Sequence, residues 1–534
     1  MNLSRLILGV VTLALAGSAL AQGLPKRVIL IPLDDRPAST QMPQMIGEVG
    51  GIEVVLPPKQ LIGRFDKPGS PEALLDWLSS SSGMGQSDAV IVSLDMVTCG
   101  GLIASRSSAT PYDLARRRLF RLWQIRQEAL QVPFYVYTSL VRLAPTATKE
   151  TAPWRHLIAK WAELKEQVKR TPTAANKRHL AQLEQRIPQR ELDQYLIARR
   201  RMVRLSADLM QIMGLGGFTL ASFGQDDAAP VGIHLSEIDE IKKQAAAYSV
   251  SERVTFLQGI DQVSSVLLAR AAVDRTKADL AFSTSYSGLV SARRPAPYEA
   301  VAVEFSLRQQ FRTAGARMDP SSRMRLMVNT DASASEMSAF RRLLANRTDQ
   351  GLPTAVADVN LGKSGTGDPR LVEALMEPDT LPKLNGYAGW NTAANTMGTV
   401  LPMAMIHELA KRESSHAFLL QARLKRILFH RLVSDWLYHR YTRPVAYQFI
   451  DTLPNAAREE LTPAELAQVT QVVKDDLAKR TYEAFNKTLE GEILERESGP
   501  AQLRSIENLQ ITLPWPRAYE VEVDFTLGWT EVTR

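Results

Sequence analysis

The chain has 534 residues, of which 45% are hydrophobic and 23% are charged. This composition is typical of a soluble, well-packed protein, and it excludes a disordered chain, a collagen-like repeat and a multi-span membrane protein. The single cysteine, Cys99, excludes an intramolecular disulfide, and the formal net charge of +7 comes from basic residues dispersed among acidic ones. Dispersed charge is typical of solvated surfaces, so we expect no nucleic-acid partner.

The first 21 residues have the pattern of a secretory signal peptide. Arg5 supplies positive charge before the apolar run Leu6–Ala16, and Ala19–Ala21 is an A-x-A cleavage site. An uncleaved membrane anchor is the alternative, but the apolar run is shorter than the ~20 residues that cross a bilayer. We therefore predict a secreted or periplasmic protein that begins at Gln22 after cleavage and has no stable membrane insertion.

Short apolar runs alternate with longer amphipathic stretches along the mature chain. This alternation predicts an α/β fold in which parallel sheets are flanked by helices. The apolar runs are continuous rather than alternating, as expected for strands that are buried on both faces. The predicted strands are Arg27–Pro32, Ile52–Leu56, Asp88–Leu94, Phe134–Ser139, Phe218–Phe223, Arg253–Leu257, Asp279–Ser283, Arg325–Val328 and Thr354–Val359.

The pattern divides the mature chain into three parts. Residues 22–312 are predicted to form an N-terminal α/β domain, with a polar, strongly helical insertion at about residues 151–209. Residues 313–400 are predicted to form a second α/β unit. Residues 401–534 are mostly helical by pattern and are predicted to end in a strand pair, with Pro514 and Pro516 at the turn.

Polar clusters follow almost every predicted strand. Because parallel α/β sheets bind ligands beyond the carboxyl ends of their strands, we expect these clusters to line one cleft. The arginines among them could clamp an anion, and the tryptophan could stack on a sugar ring; internal salt bridges and core packing are the structural alternatives. The candidate substrate-binding residues are Asp34, Arg36, Asp95, Arg142, His234, Asp358, Trp390, Asn391 and Asn395.

The acidic pairs Asp34–Asp35 and Asp226–Asp227 are the strongest candidates for catalysis. Two carboxylates held close together cannot both ionise freely, so the pKa of one rises and that group can act as an acid. Glycosidases use such pairs, whereas clustered carboxylates can also hold Mg²⁺, Mn²⁺ or Ca²⁺, or cap helices. We predict that Asp226 and Asp227 are the acid and the nucleophile or base, and that Asp35 joins the catalytic group by orienting them.

Several short motifs together resemble a bacterial family of unknown function, DUF4127. The resemblance covers nearly the whole mature chain and implies a shared architecture and a shared site, but it supplies no activity. The matching segments are PLDDRP at 32–37, SLDMVTCGGLIASR at 93–106, GQDDAAP at 224–230, Ala357–Asp358 with Gly367–Pro369, and GWNTAANTMG at 389–398.

These observations predict an exported hydrolase that acts on a carbohydrate, with a glycan or another small molecule as its substrate and no resident cofactor. Two alternatives remain open. The same aspartates could be the ligands of a divalent metal in a metal-dependent hydrolase. The cleft could also belong to a non-catalytic periplasmic protein that binds a sugar or an anion.

Overall fold

The computed structural model describes residues 23–146, 151–362, 365–413 and 416–532. The signal peptide predicted for residues 1–21 lies outside these ranges. The prediction of an α/β fold is confirmed, because the described residues form parallel sheets that are flanked by helices. In the same ranges, no helix combines the length and the apolar character needed to cross a membrane.

Every strand predicted from the sequence is confirmed, with bounds that differ by a few residues at most. The strands are β1 (Arg27–Ile31), β2 (Glu53–Val55), β3 (Ala89–Ser93), β4 (Phe134–Leu140), β5 (Leu220–Gln225), β6 (Val254–Gln258), β7 (Ala281–Tyr286), β8 (Arg317–Met318), β9 (Arg325–Asn329), β10 (Thr354–Asp358), β11 (Gly386–Ala388), β12 (Ile493–Arg496), β13 (Gly499–Thr512) and β14 (Glu522–Glu531).

The α-helices cover both parallel sheets and make up most of the C-terminal region. They are α1 (Gln41–Val49), α2 (Pro71–Ser80), α3 (Leu94–Cys99), α4 (Leu102–Ser105), α5 (Tyr112–Gln127), α6 (Arg155–Arg170), α7 (Ala174–Arg186), α8 (Gln189–Gly214), α9 (His234–Ala247), α10 (Val263–Thr276), α11 (Leu289–Ala292), α12 (Val303–Ala314), α13 (Ala334–Asp349), α14 (Pro369–Leu375), α15 (Ala393–Glu413), α16 (Ala417–Arg431), α17 (Arg443–Ile450) and α18 (Pro463–Thr488). A π-helical stretch, Leu432–Thr442, joins α16 to α17.

The first sheet is parallel and has the strand order β2-β1-β3-β4-β5-β6. Side chains alternate between its faces, so Val28 and Leu30 join one apolar core while Ile29 and Ile31 join another. Helices α2, α5, α8 and α9 contribute to the second of these cores. Burial on both faces explains why the strands are continuous apolar runs in the sequence.

The second sheet is also parallel, with the order β11-β10-β9-β7-β8. Because β7 belongs to this sheet, the change from one sheet to the other lies between Gln258 and Ala281, upstream of the predicted boundary at residues 312 and 313. Helix α10 contacts strands of the first sheet, and α15 contacts strands of the second. These two helices also contact each other and α12, so one continuous core spans both sheets.

The helical insertion consists of α6, α7 and α8, with Pro188 directly before α8. The predicted terminal strand pair is formed by β13 and β14, and β12 adds a third antiparallel strand beside β13. Residues 513–521 connect β13 to β14 and include both predicted turn prolines. We call these residues the C-terminal loop, because they return to the carboxyl edge of the first sheet, where they contact the loop after β1.

Candidate functional site

The candidate site lies at the carboxyl edge of the first sheet. Strand β1 has β2 on one side and β3 on the other, so the chain changes direction between β1 and β3. Ligands bind open α/β sheets in the crevice at such a switch point. Loops that follow β1, β4, β5 and β6 meet there with the start of α15 and the C-terminal loop, as the contacts below show.

Arg36, in the loop after β1, joins two carboxylates from opposite parts of the sheet. Its Nη2 lies 2.7 Å from Oδ2 of Asp34 and 2.7 Å from Oδ1 of Asp261, which follows β6. Asn391 donates from Nδ2 to the other oxygen of Asp261 at 3.3 Å. The hydroxyl of Tyr519, in the C-terminal loop, donates to Oδ1 of Asn391 at 3.1 Å. These bonds tie the start of α15 and the C-terminal loop to the first sheet.

Asp35 is held by the C-terminal loop. Trp515 donates from Nε1 to Oδ1 of Asp35 at 2.7 Å, and Nε of Arg64 lies 3.8 Å from Oδ2. The guanidinium groups of Arg36 and Arg517 lie 4.8 and 4.7 Å from the centre of the Trp515 ring, within cation–π range. Burial raises the pKa of Asp35 from 3.8 to about 6, against the lowering effect of the bond from Trp515.

The Asp226–Asp227 pair after β5 is bound by two arginines. Arg106 donates to Asp226, and Arg142 lies 3.8 Å from Asp226 and pairs with Asp227. Burial by itself would raise the pKa of Asp226, but the charges of Arg106 and Arg142 outweigh burial and lower that pKa. Asp227 has a left-handed backbone, with φ of 40°, which turns the chain after the pair.

Asp226 interacts electrostatically with Arg36, which follows β1, and with Asp261, which follows β6. Arg36 contributes to the lowered pKa of Asp226. Burial raises the pKa of Asp261, and the nearby charges of Asp226 and Asp34 raise it further. The charge of Arg36 lowers this pKa but does not offset the other effects. Asp226 and Asp261 are therefore neighbouring carboxyl groups whose pKa values are displaced in opposite directions.

A comparison with protein families identifies the chain. The model of the family described as "Protein of unknown function (DUF4127)" matches residues 28–524. The chain belongs to this family. No curated protein and no solved structure gives a significant match to it.

In this DUF4127 protein, a glycine shapes the floor of the site. Gly259 follows β6 with φ of 71°, and a Cβ placed on it would lie 2.5 Å from Oδ1 of Asn395. Only glycine fits both the left-handed backbone and this close approach. Asn395 is therefore packed directly under the loop that carries Asp261, as part of the buried floor rather than as an exposed substrate contact.

Asp95 and His234, which were also predicted to line the cleft, are buried beside it. Asp95 accepts hydrogen bonds from N and Oγ of Ser139, both at 2.7 Å, and lines a cavity of about 30 Å³ with Cys99 and Arg201. A volume of this size has room for one or two water molecules. His234 begins α9, and burial lowers its pKa to about 4, so the ring is neutral at pH 7.

Asp358 and Trp390 belong to the second sheet and its connection to α15. Asp358 ends β10, where it accepts hydrogen bonds from Nδ2 of Asn329 at 2.8 Å and from N of Asp368 at 2.7 Å. Burial raises the pKa of Asp358 to about 7. Trp390 donates from Nε1 to Oγ1 of Thr399 at 3.2 Å, a bond within its own loop and helix. The hydrogen bonds of both side chains are therefore to neighbouring structural residues and not to the carboxylates of the first sheet.

Several residues of the site were not predicted from the sequence. Asp261, Trp515 and Tyr519 were not among the candidates, and Arg106 appeared only as the last residue of a family motif. The signal for Asp261 was its position three residues after β6, the same kind of strand end that drew attention to Asp226. Across the described ranges, no group of three or more His, Cys, Asp or Glu side chains is placed to hold a metal ion.

Proposed function

We propose that this protein is an exported hydrolase that cleaves glycosidic bonds, with Asp261 as the general acid and Asp226 as the nucleophile or base. One observation carries the proposal: Asp226 lies against two arginines, Arg106 and Arg142, whereas the more deeply buried Asp261 is paired with Arg36. The pKa of Asp226 is accordingly lowered and that of Asp261 is raised. Environments that separate the pKa values of two neighbouring carboxyls are the means by which glycosidases assign an acid and a base.

In this mechanism the protonated carboxyl of Asp261 gives its proton to the glycosidic oxygen as the bond from that oxygen to the anomeric carbon breaks. Asp226, ionised between Arg106 and Arg142, either bonds to the anomeric carbon or takes a proton from the water that attacks it. In the first case, water then releases the sugar and returns a proton to Asp261. The stereochemistry of the product distinguishes the two routes.

The other site residues have supporting roles in this proposal. Asp227 holds Arg142 against the pair, and Asp34 holds Arg36. Asp35 is better suited to hold Trp515 in place than to join the catalytic group, because its Oδ1 accepts the hydrogen bond from Nε1 of Trp515 at 2.7 Å. The side chains of Asp226 and Asp261 are 17% and 5% exposed, so the reacting bond would enter a narrow cleft.

The proposal is tested with Asp226→Asn and Asp261→Asn variants. The assay is the release of reducing ends from soluble polysaccharides and oligosaccharides that contain neutral, uronic or N-acetylated hexoses. Each variant should lose about 10²–10⁴-fold in kcat, the usual contribution of a positioned acid or base. Asp476→Asn is the matched control, since Asp476 is paired with Arg480 on α18. Wild-type rates in both site variants would refute the proposal.

The same assay separates the alternatives that the sequence left open. In a metal-dependent hydrolase, a chelator would abolish activity and Mg²⁺ or Mn²⁺ would restore it. A non-catalytic binding protein would retain a carbohydrate and return it uncleaved after long incubation. In the proposed mechanism, kcat/KM rises with pH as Asp226 ionises and falls as Asp261 loses its proton, so the profile is bell-shaped.

A further inference from the structure

An exposed tyrosine lies beside the carboxylate pair. Tyr298 is 64% exposed, although large aromatic side chains are usually buried at least in part. It belongs to the segment of residues 294–302 between α11 and α12, in which Pro295 and Ala302 form an antiparallel bridge. The backbone N of Ala228 donates to the carbonyl of Tyr298 at 2.9 Å. Ala228 follows Asp227 directly, so Tyr298 lies next to the end of the pair.

Further bonds anchor this segment to the site. The backbone N of Ala300 donates to Oε1 of Gln258, the last residue of β6, at 2.7 Å. Oε1 of Glu299 accepts from N of Ala394, in the first turn of α15, at 2.5 Å. The segment is therefore attached to the loop after β5, the end of β6 and the start of α15. These are the elements that carry Asp226, Asp261 and Asn391.

The backbone of Tyr298 is strained while its ring remains in solvent. Its φ of 66° is in the left-handed region, which residues with a Cβ rarely adopt. A tyrosine here gains little from packing, and a glycine would remove the strain, so folding alone gives no reason for an aromatic residue at this position. Strained residues that the surrounding structure holds in place are a signal of a functional site.

We infer that Tyr298 is a stacking platform for a sugar ring of the substrate, on the rim of the cleft beside Asp226 and Asp227. This inference rests on the proposed glycosidase function. A pyranose ring has an apolar face of C–H groups that can cover an aromatic ring, while its hydroxyl groups remain at the edge and in water. An exposed aromatic side chain suits such a ligand, and the backbone that carries it is already fixed beside the pair by the bonds of this segment before the substrate arrives.

The inference is tested by replacing Tyr298 with Ala and with Phe and measuring kcat and KM on the oligosaccharide that the wild type cleaves best. Stacking that covers about 60 Å² of the ring, roughly a third of what an aromatic side chain can bury, corresponds to about a tenfold change in affinity. Tyr298→Ala should raise KM about tenfold with kcat within about twofold, because the contact is made equally before and during bond cleavage. Tyr298→Phe, which keeps the ring, should stay within about twofold of the wild-type KM.

Tyr482→Ala is the matched control, because Tyr482 is 45% exposed on α18. A second readout avoids catalysis: calorimetric titration of Asp226→Asn with the same oligosaccharide, with and without Tyr298→Ala, should show the same tenfold loss of affinity. The platform is refuted and the proposed function stands if Asp226→Asn abolishes cleavage while Tyr298→Ala changes neither the KM of the wild type nor the affinity of Asp226→Asn. If the wild type neither cleaves nor binds any carbohydrate of the panel, both are refuted.

Discussion

The pKa of Asp35 has a consequence for stability that can be measured without a substrate. A shift from 3.8 to about 6 means that the folded protein holds the Asp35 proton more tightly than the unfolded chain does. Between these two values the folded state binds more protons, so the free energy of unfolding falls as pH rises through this window. The shift is about 2 pKa units, which corresponds to at most about 3 kcal/mol of stability lost by about pH 7.

Asp35→Asn should remove this loss. The asparagine keeps an oxygen that can accept the bond from Trp515, but it has no charge to bury. The variant should match the wild type at about pH 4 and be more stable by up to about 3 kcal/mol at about pH 8. Equilibrium urea unfolding, followed by tryptophan fluorescence at both pH values, measures the difference.

The control is Asp349→Asn, which removes an exposed carboxylate at the end of α13 and should give the same small effect at both pH values. The reasoning about Asp35 is refuted if the stability difference between Asp35→Asn and the wild type does not grow with pH. It is also refuted if Asp35→Asn becomes less stable than the wild type as pH rises. That result would mean that the folded protein favours the charged form of Asp35.

Two further predictions concern the arginines and the floor of the site. Arg106→Gln removes a charge that lowers the pKa of Asp226, so the acidic limb of the kcat/KM profile should move up by about one pH unit or more. Arg317→Gln, at an exposed ion pair, is the control and should leave this limb unchanged. An unmoved limb in the Arg106 variant would contradict the role of Asp226. Gly259→Ala would place a Cβ 2.5 Å from Oδ1 of Asn395 on a left-handed backbone. The variant should lose about 1–3 kcal/mol in the free energy of unfolding, measured by urea titration. A variant as stable as the wild type would contradict this close approach.

The strands of both sheets could be predicted from the sequence because burial on both faces leaves a continuous apolar run. Strands β8 (Arg317–Met318) and β11 (Gly386–Ala388) of the second sheet were not predicted, since two or three residues carry too little signal. The pairing of strands could not be predicted in the same way. Strand β7 follows the strands of the first sheet along the chain, and only the three-dimensional packing assigns it to the second sheet.

The site could be predicted in part, because residues after parallel strands share one edge of the sheet. This argument correctly brought together the loops that carry Asp35, Arg142 and Asp226. It could not determine the charge state of Asp226, which depends on Arg106, a residue 120 positions away in the sequence. It could not identify Trp515 either, because no local pattern indicates that a loop between two C-terminal strands contacts the first strand of the chain.

The hydrogen bond between Asp35 and Trp515 joins residues that are 480 positions apart. On the ribosome, the strands of the first sheet are synthesised long before the C-terminal loop, and loops of this length close slowly compared with local pairing. The cleft therefore acquires its last wall only when nearly the whole chain is available. A C-terminally truncated chain that ends before residue 513 lacks Trp515 and Tyr519, and with them the hydrogen bonds that Asp35 and Asn391 accept from these side chains.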